Sequence, residues 1–333
     1  MKSNQNHLVI LLSCLSLIAS FKMFASSDSL PSAPYPTGDD QLTFFVGAAY
    51  TFWQPSQGAT NLAYSSGTST VSGQVYAPSF DAQSGFKVCL GANVDHDSWN
   101  LIAQYTWFYN NPSMKVIGLP LDASSIVSNL GSQGQIFGLQ GRFKNQFNRI
   151  DAILDRPFYS GQYLDLRPFI GLLGAWDTQN FQSDTQADGV TITFDRNTQS
   201  NRNSQSWWGV GPYSGIKSSY YLIKEWAICF SSGVALLYTG HNVHEESNTY
   251  GDMTPLAASQ EFNIKESLNA VEPMVEAALG LSWEPHWKDF ALRLELAWEL
   301  QYYFGHSGFE MFPVRVLEDY SMQGLTVGLT ANF

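Results

Sequence analysis

The feature that most constrains this chain is a strict alternation of apolar and polar residues, which recurs along most of its length. In "ALRLELAWELQYYF", for example, Leu292, Leu294 and Leu296 alternate with Arg293 and Glu295. Because successive side chains of a β-strand point to opposite faces, each such segment predicts a strand with one apolar and one polar face. The apolar faces must be covered, either by a second sheet or by hydrocarbon.

Ten segments match this pattern, each over roughly ten residues. They are residues 42–53, 85–93, 99–109, 145–156, 163–176, 208–220, 226–238, 274–283, 290–304 and the stretch that ends at residue 333. The connections after the second, fourth, sixth and eighth segments are short, whereas the others are long and polar, such as "TGHNVHEESNTYGDMTP". Short turns alternating with long loops predict an all-β, antiparallel transmembrane β-barrel of about ten strands, with eight or twelve as alternatives. The alternation breaks over 112–144, where a plug helix or an extra hairpin would fit.

Aromatic residues are as frequent as charged ones, at 14% each, whereas ordinary globular chains carry roughly 25% charged residues. The tryptophans cluster near the two ends of the segments, as interfacial aromatic girdles do. The predicted girdle consists of Trp53, Trp99, Trp107, Trp176, Trp226, Trp283, Trp287 and Trp298.

The N-terminus carries Lys2, an apolar stretch over 8–19 and small residues at 25–27, which is the order of a secretory signal peptide. We expect a signal peptide over 1–27, a linker over 28–40 and an outer-membrane barrel over 41–333. Removing Lys2 and Lys22 with the signal would take the net charge from −12 to −14. Such acidity argues against nucleic acid or anionic lipid head groups as partners. The predicted barrel makes outer-membrane lipids its expected surroundings.

The inward faces of the segments gather charges of both signs. The candidate pore-lining residues are Arg149, Asp151, Asp155, Arg167, Glu276, Arg293, Glu295 and Glu299, with Asp165 beside them. They predict either a paired ionic network that fills the interior or a narrow aqueous passage that prefers cations. Ten strands lie nearer to the filled end of the barrel series than to the porins.

Nothing in the sequence predicts an enzyme or a cofactor. His241 and His244 fall with two glutamates in one predicted external loop, which is a weak metal site because the spacing of a helical zinc motif is absent. Cys89 and Cys229 fall on inward faces of strands that are not neighbours, so free thiols are favoured over a disulfide. The long polar loops suit contact with a host surface as readily as pore constriction, so an adhesive or structural surface protein remains the alternative.

Three stretches carry a family resemblance: "RIDAILDRPFYSGQYLDLRPFIGLLGAW" at 149–176, "WWGVGPYSGI" at 207–216 and "LRLELAWELQYYFGHSGF" at 292–309. They resemble the Legionella-type major outer-membrane protein family, which also occurs as porin-like proteins of chlamydia-related bacteria. The resemblance implies a pore-forming barrel that passes ions or small solutes, with oligomer formation left open. The chain departs from the cysteine-rich chlamydial members.

The last segment also resembles the sorting signature by which Gram-negative bacteria recognise barrels for insertion. That resemblance implies the insertion machinery as a partner and assigns the signature to Leu325, Val327, Leu329, Ala331 and Phe333.

Overall fold

The computed structural model describes residues 43–58, 60–65, 67–68, 71–94, 99–119, 123–125, 136–160, 163–188, 196–223, 225–251, 259–285, 291–311 and 314–332. The predicted signal peptide and linker, Trp287 and Phe333 lie outside these residues. Within the described ranges, no helix is long and apolar enough to cross a membrane.

Ten long antiparallel strands form a closed barrel, which confirms the predicted fold. They are β1 (Thr43–Gln57), β2 (Gln83–Val94), β3 (Trp99–Asn110), β4 (Ile136–Asp155), β5 (Leu164–Asp188), β6 (Arg196–Ile223), β7 (Trp226–Gly251), β8 (Ser259–Trp283), β9 (Ala291–Met311) and β10 (Val314–Asn332). Each strand pairs with its neighbours in the chain, and β10 pairs with β1 from Phe45↔Asn332 to Gln57↔Tyr320. The barrel therefore has no free edge.

The predicted alternation appears as two faces of the wall. In β1, Phe44, Val46, Tyr50 and Phe52 are exposed on the outside, while Phe45 and Ala49 are partly buried and Gly47 and Thr51 are buried on the inside. The same holds for the apolar residues of β2 to β10 that the pattern assigned outward. An apolar outer band around a closed sheet is the surface that hydrocarbon covers.

The strands are longer than the alternation predicts, because they continue beyond the apolar band. Where a loop was expected over 239–255, β7 continues to Gly251, and β8 starts at Ser259. We call this end of the barrel the loop end, and the end with the connections β2–β3, β4–β5, β6–β7 and β8–β9 the turn end. In barrels of this type the loop end is extracellular.

Short strands accompany the barrel, most of them at the loop end. Ser113–Ile117 pairs with β4 between Gly138 and Arg142, so the irregular region over 112–144 holds an extra antiparallel strand. The remaining short strands are Ala63–Ser65, Gly67–Thr68, Val71–Ser72, Val75–Tyr76 and Ala123–Ser125, with Tyr159–Ser160 at the turn end. Leu62 packs at the loop end in a buried cluster with Phe143 and Phe181.

The seam between β1 and β10 depends on a close approach at Gly324. Its φ is +155°, a backbone conformation that residues with a side chain rarely adopt. A Cβ at this position would overlap the carbonyl oxygen of Phe52. Four residues further along the same strand, a Cβ on Gly328 would lie 3.5 Å from the Cβ of Ala49, an ordinary contact. The seam therefore has no room for a side chain at Gly324 but has room for a methyl group at Gly328.

We expect Gly324→Val to destabilise the barrel by about 1–3 kcal/mol, because the side chain has to displace the β1 backbone. Gly328→Ala is the matched control and should leave stability nearly unchanged. The measurement is urea unfolding of the refolded protein, followed by tryptophan fluorescence. Equal transition midpoints for the two variants would contradict the seam geometry.

Candidate functional site: the barrel interior

The inward side chains are arranged in three layers along the barrel axis. Strand parity determines the layers, because every second residue of each strand faces the interior. An ionic layer occupies the half nearer the turn end. An aromatic layer lies above it, and a polar layer with two histidines follows towards the loop end.

Arg149 is the centre of the ionic layer and is only 2% exposed. Its Nε lies 2.8 Å from Asp151 Oδ1, and its Nη1 lies 2.5 Å from Glu276 Oε2. Tyr213 donates its hydroxyl hydrogen to the other oxygen of Glu276, and the guanidinium lies 5.2 Å from the centre of the Tyr213 ring. A buried guanidinium is tolerated because several acceptors share its charge.

Further ion pairs line the interior between Arg149 and the turn end. They are Lys87–Glu299 at 2.5 Å, Lys217–Asp155 at 2.9 Å, Arg167–Asp165 at 2.6 Å, Arg293–Glu284 at 3.0 Å and Arg293–Glu295 at 3.2 Å. The exposure of the cationic side chains rises from 2% at Arg149 to 35% at Lys217 and 40% at Arg167, while their partners Asp155 and Asp165 are 3% and 7% exposed. The ionic layer is therefore a vestibule that is open to water at the turn end and closes towards Arg149.

The structure places all eight candidate pore-lining residues on the inward face of their strands. Two lysines of the vestibule, Lys87 and Lys217, were missed. Lys87 alternates with the outward Phe86 and Val88, so parity alone could have found it. Lys217 lies on the glycine-rich β6, whose faces the alternation does not assign.

The aromatic layer crosses the whole interior. Phe147 on β4 packs against Tyr303 on β9 and Tyr320 on β10, with ring centres 5.5 and 6.2 Å apart. Because these strands are not neighbours of β4, the contacts span the lumen. The same buried cluster contains Trp53, Phe108, Leu173, Trp207, Tyr213, Leu237, Met274 and Met322, and it continues into the ionic layer at Ile153 and at Phe169, which is paired with Asp155.

Trp53 belongs to this layer, so its assignment to the outer girdle is wrong. It is 1% exposed and donates its indole hydrogen to Thr326 at 3.1 Å, and the ammonium of Lys87 lies 4.9 Å from the centre of its ring. The physical reason is parity, because Phe52 points outward and the next residue must point inward. Trp207 is buried for the same reason, beside the outward Trp208.

The other girdle residues that the structure describes lie on the outer wall. Trp176, Trp226 and Trp298 are 43%, 38% and 57% exposed, and Trp99, Trp107 and Trp283 are partly exposed. In the sorting segment, Leu325, Val327 and Leu329 are exposed and Ala331 is partly exposed on the outer wall.

Two imidazole–carboxylate pairs form the polar layer. His241 Nε2 lies 2.5 Å from Glu272 Oε1, and His306 Nε2 lies 2.7 Å from Asp177 Oδ2. Gln205 joins the pairs by donating to the backbone oxygen of His306 at 2.9 Å while its amide lies 3.1 Å from His241 Nδ1. Both histidines are at most 1% exposed, so no substrate reaches them in this conformation.

The prediction that His241 and His244 lie in an external loop was wrong. His241 is a buried strand residue of β7, because β7 continues inside the segment expected to be a loop, while His244 faces outward on the same strand. Among the described residues, no group of three or more His, Cys, Asp or Glu could hold a metal ion.

His306 was not predicted at all, because a bulge in β9 changes the parity before it. The β9–β10 register shifts between Tyr303 and Ser307, and Gly305 adopts a φ of 67°. Asp319 fixes this bulge by accepting from the Gly305 amide at 2.9 Å. A bulge of this kind re-aims a side chain, here that of His306 towards Asp177.

Cys89 and Cys229 are free, as favoured by the sequence. Cys229 is buried in the vestibule wall, where Arg293 Nη2 lies 3.1 Å and Ser282 Oγ 3.2 Å from its sulfur. Both cysteines are small fillers of the inner wall.

A closed antiparallel barrel with an apolar outer band and a charged, filled interior defines an outer-membrane β-barrel protein. The chain belongs to the Legionella major outer membrane protein family: the family model described as "Legionella pneumophila major outer membrane protein precursor" matches residues 37–333. No curated protein matches the sequence.

Among solved structures, the chain is similar to the outer membrane protease OmpT from Escherichia coli. The TM-score is 0.49 and the identity 10%, over 92% of this chain and 100% of that one. The toluene transporter TodX of Pseudomonas putida follows, with a TM-score of 0.29 and 7% identity over 91% and 95% of the two chains. A FadL homologue of Pseudomonas aeruginosa has a TM-score of 0.27 and 6% identity over 88% and 90%. Likeness at this level carries no conclusion about activity.

The geometry around Arg149 predicts a large loss of stability when its charge is removed. Arg149→Met leaves Asp151 and Glu276 unpaired inside the barrel, which should cost about 3–5 kcal/mol. The triple variant Arg149→Met, Asp151→Asn, Glu276→Gln removes the unpaired charges and should recover most of that loss. Urea unfolding of the refolded barrels measures both. A single variant as stable as the unmodified protein would show that the network is not the buried unit described.

Proposed function

We propose that the protein is an outer-membrane channel that conducts ions and small hydrophilic solutes at a low rate, with a mild preference for cations. The observation that carries the proposal is the charged vestibule, which is open at the turn end and lined by ion pairs as far as Arg149. A barrel interior built only for stability does not need charged groups, because well-packed apolar side chains of similar volume stabilise at least as well.

The aromatic layer supports a low rate. Side chains of β4, β9 and β10 touch across the interior, so the conducting conformation needs these rings to move apart. Ring displacement inside a rigid barrel is a local event that leaves the hydrogen-bonded wall intact. The conductance therefore depends on how often the rings separate, and on the narrow width that ten strands allow.

The charges of the vestibule support a preference for cations. Its described carboxylates are Asp151, Asp155, Asp165, Glu276, Glu284, Glu295 and Glu299, and its described cationic groups are Lys87, Arg149, Arg167, Lys217 and Arg293. The carboxylates outnumber the cationic groups. Glu295 is the most exposed of the carboxylates in these ion pairs, at 39%, and Glu284, Glu276 and Glu299 follow at 22%, 21% and 15%. An excess of carboxylates along a constriction lowers the free energy of a cation there.

A surface protein with a structural or adhesive role is the second candidate, and one observation favours it. Leu62, Leu119, Ile136, Leu139, Phe143 and Phe181 form a second buried cluster at the loop end. A folded, apolar-anchored surface at the extracellular end suits recognition of a host molecule as well as closure of a pore.

Planar-bilayer recording distinguishes the two candidates. The unmodified protein should give small, discrete conductance steps, and Phe147→Ala should raise the conductance because it removes a ring that spans the lumen. Phe86→Ala on the outer wall is the matched control and should leave the steps unchanged. Silence of both the unmodified protein and Phe147→Ala, in protein shown to be folded, would remove the channel and favour the structural role.

The cation preference has its own test. In a KCl gradient, the reversal potential of the unmodified channel should be displaced from zero towards the equilibrium potential of K⁺. Glu295→Gln together with Glu299→Gln should move it towards zero, because two carboxylates leave the vestibule. A channel that prefers anions before the substitution would contradict the carboxylate argument while leaving the channel itself in place.

A further inference from the structure

The outer wall of β4 to β8 carries a polar surface that the channel does not use. It consists of three rows of outward side chains, each row running across the five strands by direct cross-strand pairing. Counted from the apolar band, the rows are Gln146–Thr178–Ser206–Asn242–Ser267, then Lys144–Asn180–Ser204–His244–Lys265, then Arg142–Gln182–Arg202–Glu246–Asn263. We call these rows the polar rows.

The polar rows start directly above an interfacial aromatic row. Trp176 and Trp208 are opposite each other on β5 and β6 and are 43% and 42% exposed on the outer wall. The ring of Tyr238 on β7 meets Trp208 at 5.9 Å. Because exposed Trp and Tyr mark the level of the lipid head groups, the polar rows face the head groups and the layer outside them.

The charge of the polar rows is opposite to that of the chain. They carry Arg142, Lys144, Arg202 and Lys265, against Glu246 as the acidic residue of the rows, on a chain whose net charge is −12. A concavity of about 450 Å³ lies among them, lined by hydroxyl and amide groups such as those of Thr178 and Asn242 and bordered by Glu266. Lys and Arg beside neutral hydrogen-bonding groups recognise phosphate on a hydroxyl-rich carrier.

An apolar groove lies on the same wall, below the tryptophans. It has a volume of about 680 Å³ and is lined on the outside by Ala152, Leu154, Ile170, Leu172, Pro212 and Leu236. The β6–β7 ladder is interrupted there, running from Val210↔Tyr238 directly to Tyr213↔Ala235, because proline has no N–H to donate.

The vertical distance suits a single lipid molecule. Leu172 lies four residues below Trp176 on β5, which is about 13 Å along the strand and about 10 Å in depth for a strand tilted by about 40°. The upper end of the groove, at Leu172, therefore lies in the outer half of the apolar band, where the acyl chains of a lipid with its head group at the polar rows are found. Ile170, two residues further from Trp176, extends the groove to about 15 Å, near the middle of the band.

We propose that the wall of β4 to β8 is a binding site for a phosphorylated, multiply acylated glycolipid of the outer leaflet. The polar rows hold its phosphate and sugar hydroxyls, and the apolar groove holds one of its acyl chains. The charge of the rows, their position above the tryptophans and the continuity of rows and groove on one wall together specify this occupant.

The test uses the full barrel, refolded in detergent, and measures binding by native mass spectrometry and by titration. The probes are bis-phosphorylated lipid A and the same lipid without its phosphates. We expect one tightly bound molecule of the phosphorylated form and at least about tenfold weaker binding of the other, a difference of about 1.4 kcal/mol. Equal binding of the two forms would overturn the proposal.

Two pairs of variants locate the site. Arg142→Gln, Lys144→Gln and Arg202→Gln together should weaken binding of the phosphorylated lipid at least about tenfold, whereas Arg156→Gln, at the exposed turn end, should not. Ala152→Trp fills the groove and should weaken binding of both lipids, whereas Ala48→Trp on the wall of β1 should not.

Other outcomes contradict the proposal. Unchanged binding in the triple variant or in Ala152→Trp would show that the lipid lies elsewhere. If Ala152→Trp instead halves the particle mass without affecting lipid binding, the groove is an interface between copies of this chain, and the lipid assignment is wrong. Heat-modifiable migration on gels verifies that each variant is folded, so that a loss of binding reports on the site.

Discussion

The whole structure depends on one constraint, which is that no backbone N–H or C=O may remain unpaired in hydrocarbon. The β1–β10 ladder satisfies it by closing the sheet from Phe45↔Asn332 to Gln57↔Tyr320. Closure also fixes the total stagger around the barrel, while the apolar pattern and the turns set the register of each strand pair. Once the register is fixed, the side of the wall that each residue occupies is fixed as well, and both the charged interior and the apolar band follow.

Closure by ten strands also determines what the interior can contain. The lumen is narrow enough for Phe147 to reach Tyr303 and Tyr320, so large rings of the described strands meet across it. The same narrowness forces charges to pair, and Arg149 finds Asp151 on its own strand and Glu276 on β8 across the interior. The same barrel diameter therefore accommodates an open vestibule near the turn end and a sealed aromatic layer above it. Which of the two occurs at a given level depends on the side chains that the strands contribute there.

Sequence reasoning predicted correctly those residues whose side of the wall follows from strand parity alone. It failed where residue type was used in place of parity, or where a bulge changes the parity. Parity placed the eight charged residues inside, since a charge facing hydrocarbon is costly. It was not applied to Trp53, which was assigned by residue type. The strand lengths were underestimated because β5 to β8 continue beyond the apolar band, where the outer face is polar and the inner face is largely polar as well, so that the alternation weakens. His306 could not be predicted, because the bulge at Gly305 shifts the parity and leaves no periodic signal in one sequence.

The two faces of a barrel strand are made by alternate residues, so that one segment presents two chemically different surfaces. On β4, Arg149 and Asp151 face the vestibule, while Ile150, Ala152 and, nearer the loop end, Lys144 face outward. The wall between them is a single layer of hydrogen-bonded backbone, so a change on one face leaves the other face chemically intact. The basic outer rows and the carboxylate-rich interior therefore do not conflict, although they have opposite charge. A net charge of −12 is compatible with both surfaces, because a lipid or an ion contacts only one face of the strands and responds to the charge of that face, not to the net charge of the chain.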